Sequence, residues 1–219
     1  MYAQTMELNL GGTELILSAM KCVFLPRANT LLLTDLHLGK AAHFRKNALP
    51  LPQQAHTKDY ENLQRALETF QPETVVFLGD LFHSTYNKAW EEAALFFQSF
   101  PNVRWQLVMG NHDILHQSHY EAARVECIDE GTMLHGLTLF HHPPDIAKTQ
   151  AGPHVCGHIH PGIALSSKSR DRMILPCFYL KGHQLILPAF GALTGLARCS
   201  KEQEQERLIG ISGASLLEL

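Results

Sequence analysis

The chain of 219 residues has no C-x-x-C pair among its five cysteines and no apolar run near the roughly 20 residues a membrane-spanning helix needs. An odd number of thiols without paired spacing excludes a disulfide framework. Cys22, Cys127, Cys156, Cys177 and Cys199 are therefore expected to be reduced, as in a cytoplasmic protein. The opening MYAQTMELNLGG lacks a signal-peptide pattern, which points to the same compartment. Excess positive charge is missing too: 18 Lys+Arg against 21 Asp+Glu leave a net −3. That excludes a basic coat as the basis of nucleic-acid binding, though not a local basic patch. With no linker, repeat or low-complexity block, residues 1–219 read as a single domain, long enough to bury a sizeable core. What the sequence has in excess is histidine, 14 residues of it. Histidine is the commonest metal ligand and moves protons near neutral pH.

The first half has a βαβ rhythm. Thr30 to Thr34 is an apolar run ending on Asp35, and Pro50 and Pro52 then open a segment with Leu63, Leu67 and Phe70 at helical spacing. Val75 to Leu78 is a second buried strand, Trp90, Ala94 and Phe97 mark a second helix, and Val103 to Met109 alternates as a third strand. A partly parallel sheet follows from that order. The second half offers short strand candidates at Leu137 to Phe140, His154 to Cys156, Met173 to Leu175, Phe178 to Leu180, Leu185 to Leu187 and Leu208 to Ile211. They predict a second, mostly antiparallel sheet packed on the first.

Metal-type residues recur at the ends of these strands. The first ends in Asp35-Leu36-His37, the second in Gly79-Asp80-Leu81-Phe82-His83, the third in Gly110-Asn111-His112-Asp113. A fourth ends in His141-His142, and a fifth in Gly157-His158-Ile159-His160. Sites in α/β sheets collect at the carboxyl ends of strands, so five such ends can converge on one cleft. In extended backbone, Asp35 and His37 point to one side, as do His158 and His160. Carboxylates, an amide oxygen and imidazoles suit Mn, Fe or Zn rather than Ca. One ion needs four to six ligands at most, so the surplus favours two divalent ions. Asp35 and Asp80, a bridging hydroxide and one phosphodiester would balance their charge. Alone, a D-x-H or a G-D is usually a turn, and His56, His116, His119 and His183 are read as surface or core. The ordered set of five is different in kind.

That set, from Asp35 to His160, resembles the calcineurin-like metallophosphoesterase superfamily. The resemblance implies an α/β fold, a four-layer sandwich of two mixed β-sheets face to face with helices outside. It also implies a dinuclear site in which Asp35, His37 and His160 bind the first metal and Asp80 bridges. Asn111, His158 and one of His141 or His142 bind the second, His141 being favoured because it directly follows its strand. His112 matches the family's proton-donating histidine, and Asn111 and His112 would also meet the substrate. Gly79 to His83 is similar to the nuclease subunit of a double-strand-break repair complex. It lacks the carboxylate that usually orients the catalytic histidine, a task open to His83 or Asp113. Leu33 to Lys46 and Pro188 to Gly195 resemble a bacterial branch, the ligase-associated DNA damage response endonucleases, which implies a DNA ligase, a helicase and an exonuclease as functional partners.

Lys40, Arg45 and Lys46, with His43, form a local basic cluster that can hold phosphates flanking the scissile one or serve as a solvated helix face. Lys168, Arg170 and Arg172 form a second basic tip with the same two readings. The favoured function is a manganese-type phosphodiesterase acting on DNA, single-stranded or frayed, probed against a phosphatase or phosphodiesterase of small nucleotides. The presence of His112 argues against a catalytically idle metal-binding module.

Overall fold

The computed structural model describes residues 3–40, 54–145, 152–166 and 172–219. Seven strands form one sheet in chain order: Thr5–Leu10 (β1), Thr13–Ser18 (β2), Cys22–Leu25 (β3), Thr30–Leu33 (β4), Thr74–Leu78 (β5), Arg104–Val108 (β6) and Val125–Ile128 (β7). β1 to β4 pair antiparallel, and β4 to β7 pair parallel. Among the described residues three helices run between the parallel strands, Gln54–Phe70 (α1), Lys88–Gln98 (α2) and Gln117–Ala122 (α3). Nine strands form a second sheet: Thr132–Leu134 (β8), Leu137–Leu139 (β9), His154–Cys156 (β10), Pro161–Ser166 (β11), Arg172–Lys181 (β12), Gln184–Ile186 (β13), Ala197–Cys199 (β14), Arg207–Ser212 (β15) and Ser215–Glu218 (β16).

β4 and β5 are apolar after their opening threonines because both of their faces are buried, whereas β6 alternates, with Arg104 exposed and Gln106 partly so. Leu31, Leu33, Val75, Phe77, Trp105 and Leu107 point outward and pack under Leu63 and Ala66 of α1, Trp90 and Phe97 of α2 and Tyr120 of α3. The alternate residues Leu32, Val76, Leu78 and Val108 point inward against Leu139, Val155, Phe178, Leu185 and Ile209 of the second sheet. Each such side chain contributes about 1.5–3 kcal/mol relative to leaving it exposed. Two mixed sheets thus lie face to face with helices outside, the expected sandwich. The described helices all cover the first sheet.

The second sheet is more mixed than its sequence suggests, since β9, β10 and β13 pair in parallel and β11 pairs parallel with β14. The two candidate strands on either side of Pro176 are one strand, β12. Pro176 opposes Gly162 of β11, while β13 and β15 pair with β12 only from Tyr179 and Cys177 onward. Its missing N–H therefore falls where the second ladder has not begun. Among the described residues no helix is long and apolar enough to cross a membrane.

Parallel pairing brings three strand ends to one edge: Leu33 of β4 pairs with Phe77 of β5, and Leu78 of β5 with Val108 of β6. The exit of β13 is stitched to the same edge, for Phe190 N–H donates to Thr34 O at 2.9 Å and Gly191 N–H to Asp35 O at 3.1 Å.

Candidate metal centre

The strand-end residues share a side for a reason other than extended backbone. Asp35, His37, Asp80, His158 and His160 all adopt left-handed backbone, with φ of 53°, 49°, 52°, 68° and 52°. Each such residue costs about 1–3 kcal/mol, and clustered strain of this kind is characteristic of functional sites. The strain is held by cross-loop bonds: Asp35 N–H donates to Gly79 O at 3.1 Å and His37 N–H to Asp80 O at 2.9 Å. The glycines before Asp80 and His158 are steric requirements. A Cβ on Gly79 would lie 2.1 Å from His141 Nδ1, and one on Gly157 would lie 1.9 Å from Thr34 Oγ1.

Asp35, His37, Asp80, Asn111, His141, His158 and His160 converge at this edge, in two overlapping sets. In the first, His160 Nε2 lies 3.1 Å and His37 Nε2 3.9 Å from Asp35 Oδ1. In the second, His141 Nε2 lies 3.2 Å from Asn111 Oδ1, 3.2 Å from His158 Nδ1 and 3.5 Å from Asp80 Oδ1. Asp80 stands between them, its other oxygen, Oδ2, 3.7 Å from His37 Nε2. Burial is nearly complete for Asp35, His37, Asp80 and His141.

The donor chemistry fits divalent ions. Asp35 Oδ1 and His37 Nε2 are fully buried and have no aligned hydrogen-bond partner, a rare condition unless an ion is the partner. His141 Nδ1 sits 2.9 Å from Leu78 O, which only accepts, so Nδ1 carries the proton. A neutral His141 ring then presents its Nε2 lone pair to Asn111 Oδ1 and Asp80 Oδ1, acceptors facing an acceptor, an arrangement a cation resolves. Burial depresses His37 to about 3, which keeps the ring neutral and able to ligate. Burial alone would raise Asp35, but the His160 contact and the Thr34 hydroxyl hold it below the usual carboxylate range.

The remaining predicted residues are placed as follows. His112 is half-buried, its N–H donating to Asp80 Oδ1 at 2.9 Å and its ring 4.0 Å from that of His83 and 5.3 Å from that of His37. His83 Nδ1 also lies 3.2 Å from His37 Nδ1, so it can fix the His37 tautomer as well as support His112. Asp113 is not placed to orient His112. Its buried carboxylate accepts the N–H of Phe82 at 3.0 Å and of Gly110 at 2.9 Å, bracing the loop that carries Asn111 and His112. Burial pushes Asp113 up to about 7. Lys40 is close enough to Asp80 and Asp35 for their charges to offset part of its desolvation. Arg45, Lys46 and His43 lie outside the described residues, as do Lys168 and Arg170.

Two braces had no clear signal in the sequence. Thr34 Oγ1 lies 2.7 Å from both Asp35 Oδ2 and Leu78 O. Its position directly before Asp35 was the only hint. Glu130 Oε1 accepts the N–H of both His141 at 2.8 Å and His142 at 3.0 Å, from the turn before β8.

His141 is fully buried while His142 is exposed, with its ring 4.2 Å from that of His158. His141→Ala is therefore expected to lower metal-dependent hydrolysis by about 10²-fold or more, since even outer-shell partners are worth 10–100-fold. His142→Ala should cost less than about tenfold. Both variants would be compared by turnover and metal content, and the reverse ranking would transfer the ligand role to His142.

The sequence profile of the calcineurin-like phosphoesterases matches residues 28–160. No curated protein sequence matches this chain. Among solved structures, the nuclease MPE from Pseudomonas putida is 25% identical, covering 99% of this chain and 100% of that one, with a TM-score of 0.83. The phosphoesterase Yfce from E. coli is 14% identical over 87% of this chain and 97% of its own, with a TM-score of 0.45. A conserved protein from Streptococcus pneumoniae, described as a predicted phosphoesterase, is 17% identical over 84% and 82%, with a TM-score of 0.33. The last two likenesses are too remote to carry an argument.

Proposed function

From the premise that the chain belongs to the calcineurin-like phosphoesterase family, we propose that it is a dinuclear phosphodiesterase, manganese-dependent, that cleaves DNA as an endonuclease in DNA repair. The observation that carries the dinuclear reading is Asp80. One of its oxygens faces His37 at 3.7 Å and the other faces His141 at 3.5 Å, so a single carboxylate serves both donor sets. Asp35, His37 and His160 would hold one ion, and Asn111, His141 and His158 the other. Bound there, two divalent ions would lower the pKa of water and neutralise charge on the phosphoryl oxygens.

The chain's own groups do the rest. His112 is anchored at its backbone N–H by Asp80 Oδ1, and its ring lies 4.0 Å from that of His83. There it donates a proton to the departing oxygen or stabilises charge on the transferring group. Lys40 supplies a cation beside the carboxylates for a flanking phosphate. Nucleic acid as the substrate is supported by likeness over the whole chain to a protein described as a nuclease.

Elemental analysis after loading with Mn is expected to give about two ions per chain, and a covalently closed single-stranded DNA circle, which offers no ends, should be cut. Full activity with one ion would overturn the dinuclear reading. An intact circle beside rapid hydrolysis of small nucleotides would favour the alternative, a small-nucleotide phosphodiesterase.

A further inference from the structure

A cavity of about 1050 Å³ lies between α1, the turn before β3 and β12, at the upper end of what small-ligand pockets offer. One wall is a face of α1 carrying Lys58, Asn62, Arg65 and Thr69, at spacings of four, three and four residues. The core takes the other face, through Leu63, Ala66 and Leu67. Lys21, in the turn between β2 and β3, lines the cavity too, and Met20, Leu175, Pro176 and Ala192 supply an apolar floor.

The cavity opens at the site end of both sheets. β3 runs antiparallel to β4, with Val23 opposite Leu32, so the turn holding Lys21 lies level with the exit of β4 toward Asp35. Ala192 follows Gly191, whose N–H is bonded to Asp35 O, and its own N–H donates to Asp59 Oδ1 at 2.9 Å.

Its lining carries three cations against one carboxylate. Arg104 pairs with Glu126 at 2.8 Å and Arg207 with Glu218 at 2.5 Å, whereas Lys21, Lys58 and Arg65 form no ion pair within 4.0 Å among the described residues. The one carboxylate of the lining, Glu68, accepts from Gln64 Nε2 at 2.9 Å and offsets one of the three positive charges. Asp59 lies buried beneath, bonded to the backbone of Ala192. Lys21 is half-buried, which depresses its pKa through desolvation with only partial relief from Asp59, and it occupies left-handed backbone at φ 62°. Partial burial of the Lys21 ammonium without an ion pair costs free energy that a bound anion would offset.

We propose that this groove seats the single nucleic-acid strand flanking the cleaved bond, with Lys58, Arg65 and Lys21 on its phosphates and its bases over the floor of Met20, Leu175 and Pro176. The proposal rests on the DNA-cleaving reading above. A polyanion with apolar bases matches both halves of the lining, and the lining reaches Ala192, next to the Gly191 whose N–H is bonded to Asp35 O.

The test compares the Mn-loaded protein with Lys58→Glu/Arg65→Glu, two exposed helix positions whose replacement leaves the core intact. Fluorescence anisotropy of a labelled single-stranded 20-mer is read across a salt series, beside hydrolysis of a nitrophenyl diester. The variant is expected to bind the 20-mer at least about tenfold more weakly. Its salt slope should be shallower by roughly 0.7 per lost contact, while diester hydrolysis is unchanged. Unchanged affinity and slope, with the parent protein binding and cutting the 20-mer, would overturn the groove but leave the function standing. A parent protein that hydrolyses the diester yet neither binds nor cuts the 20-mer would overturn the function and the groove together. Equal losses on the diester would mean that the charges act on the metal centre. A labelled polyglutamate that binds through the same two cations, with 20-mer binding unaffected, would reassign the groove to an acidic protein.

Discussion

Asp80→Asn is expected to lower phosphodiester hydrolysis by about 10³-fold or more, the kinetic equivalent of the several kcal/mol that bound metal contributes. Asp80 is the group shared by both donor sets, so its loss weakens two ion sites at once. Asp35, Asp80 and His141 present ligand atoms all within 4.8 Å of one another. Removing one charge from that cluster leaves two ions with too little negative charge to hold them. The opposite sign is expected without metal. Two buried carboxylates so close repel each other, so chelated Asp80→Asn should melt at the same temperature as the chelated parent or higher. Asn Oδ1 can still accept the His112 N–H, so the loop after β6 keeps its anchor. Metal analysis and melting with and without chelator separate the two effects. A variant that keeps two ions and near-normal turnover would remove Asp80 from the centre. One that melts lower even when chelated would make it a structural residue.

How much of this was legible in the sequence depends on the kind of physics involved. Asp35 and Asp80 could be found because doubly buried parallel strands are apolar runs and a polar residue at their end stands out, and Asn111 because the Gly-Asn-His-Asp run follows an alternating strand directly. Local backbone conformation could not be read. Asp and His enter left-handed backbone more readily than most residues, but nothing local in the sequence specifies it at these five positions, which cross-loop bonds of the assembled sheet brace. Pro176 divided β12 in the sequence because the one-sided pairing that tolerates it is a tertiary fact. Asp113 looked like a partner for the neighbouring His112, but adjacency in sequence says little about direction, and its carboxylate turns inward to two backbone N–H groups. Lys21, Lys58 and Arg65 are scattered over 45 positions and form a patch only once α1 crosses the turn after β2.

His112→Asn is expected to lower turnover on oligonucleotides by about 10²-fold while leaving metal content intact. The imidazole belongs to neither donor set. Its ring lies 4.0 Å from that of His83 and 5.3 Å from that of His37, and its backbone N–H donates to Asp80 Oδ1. Asn keeps a polar side chain and the backbone N–H, so the anchor to Asp80 survives and what disappears is the imidazole as a proton donor. The size of the loss should follow the leaving group. A deoxyribose alkoxide needs a proton as it departs, whereas a nitrophenolate needs almost none, so the defect should shrink toward unity on the nitrophenyl diester if proton donation is the role. A defect of equal size on both substrates would instead assign His112 to stabilising charge on the transferring phosphoryl group. Loss of metal from the variant would make His112 a ligand and leave the proton donor to be sought at His83, 4.0 Å away ring to ring.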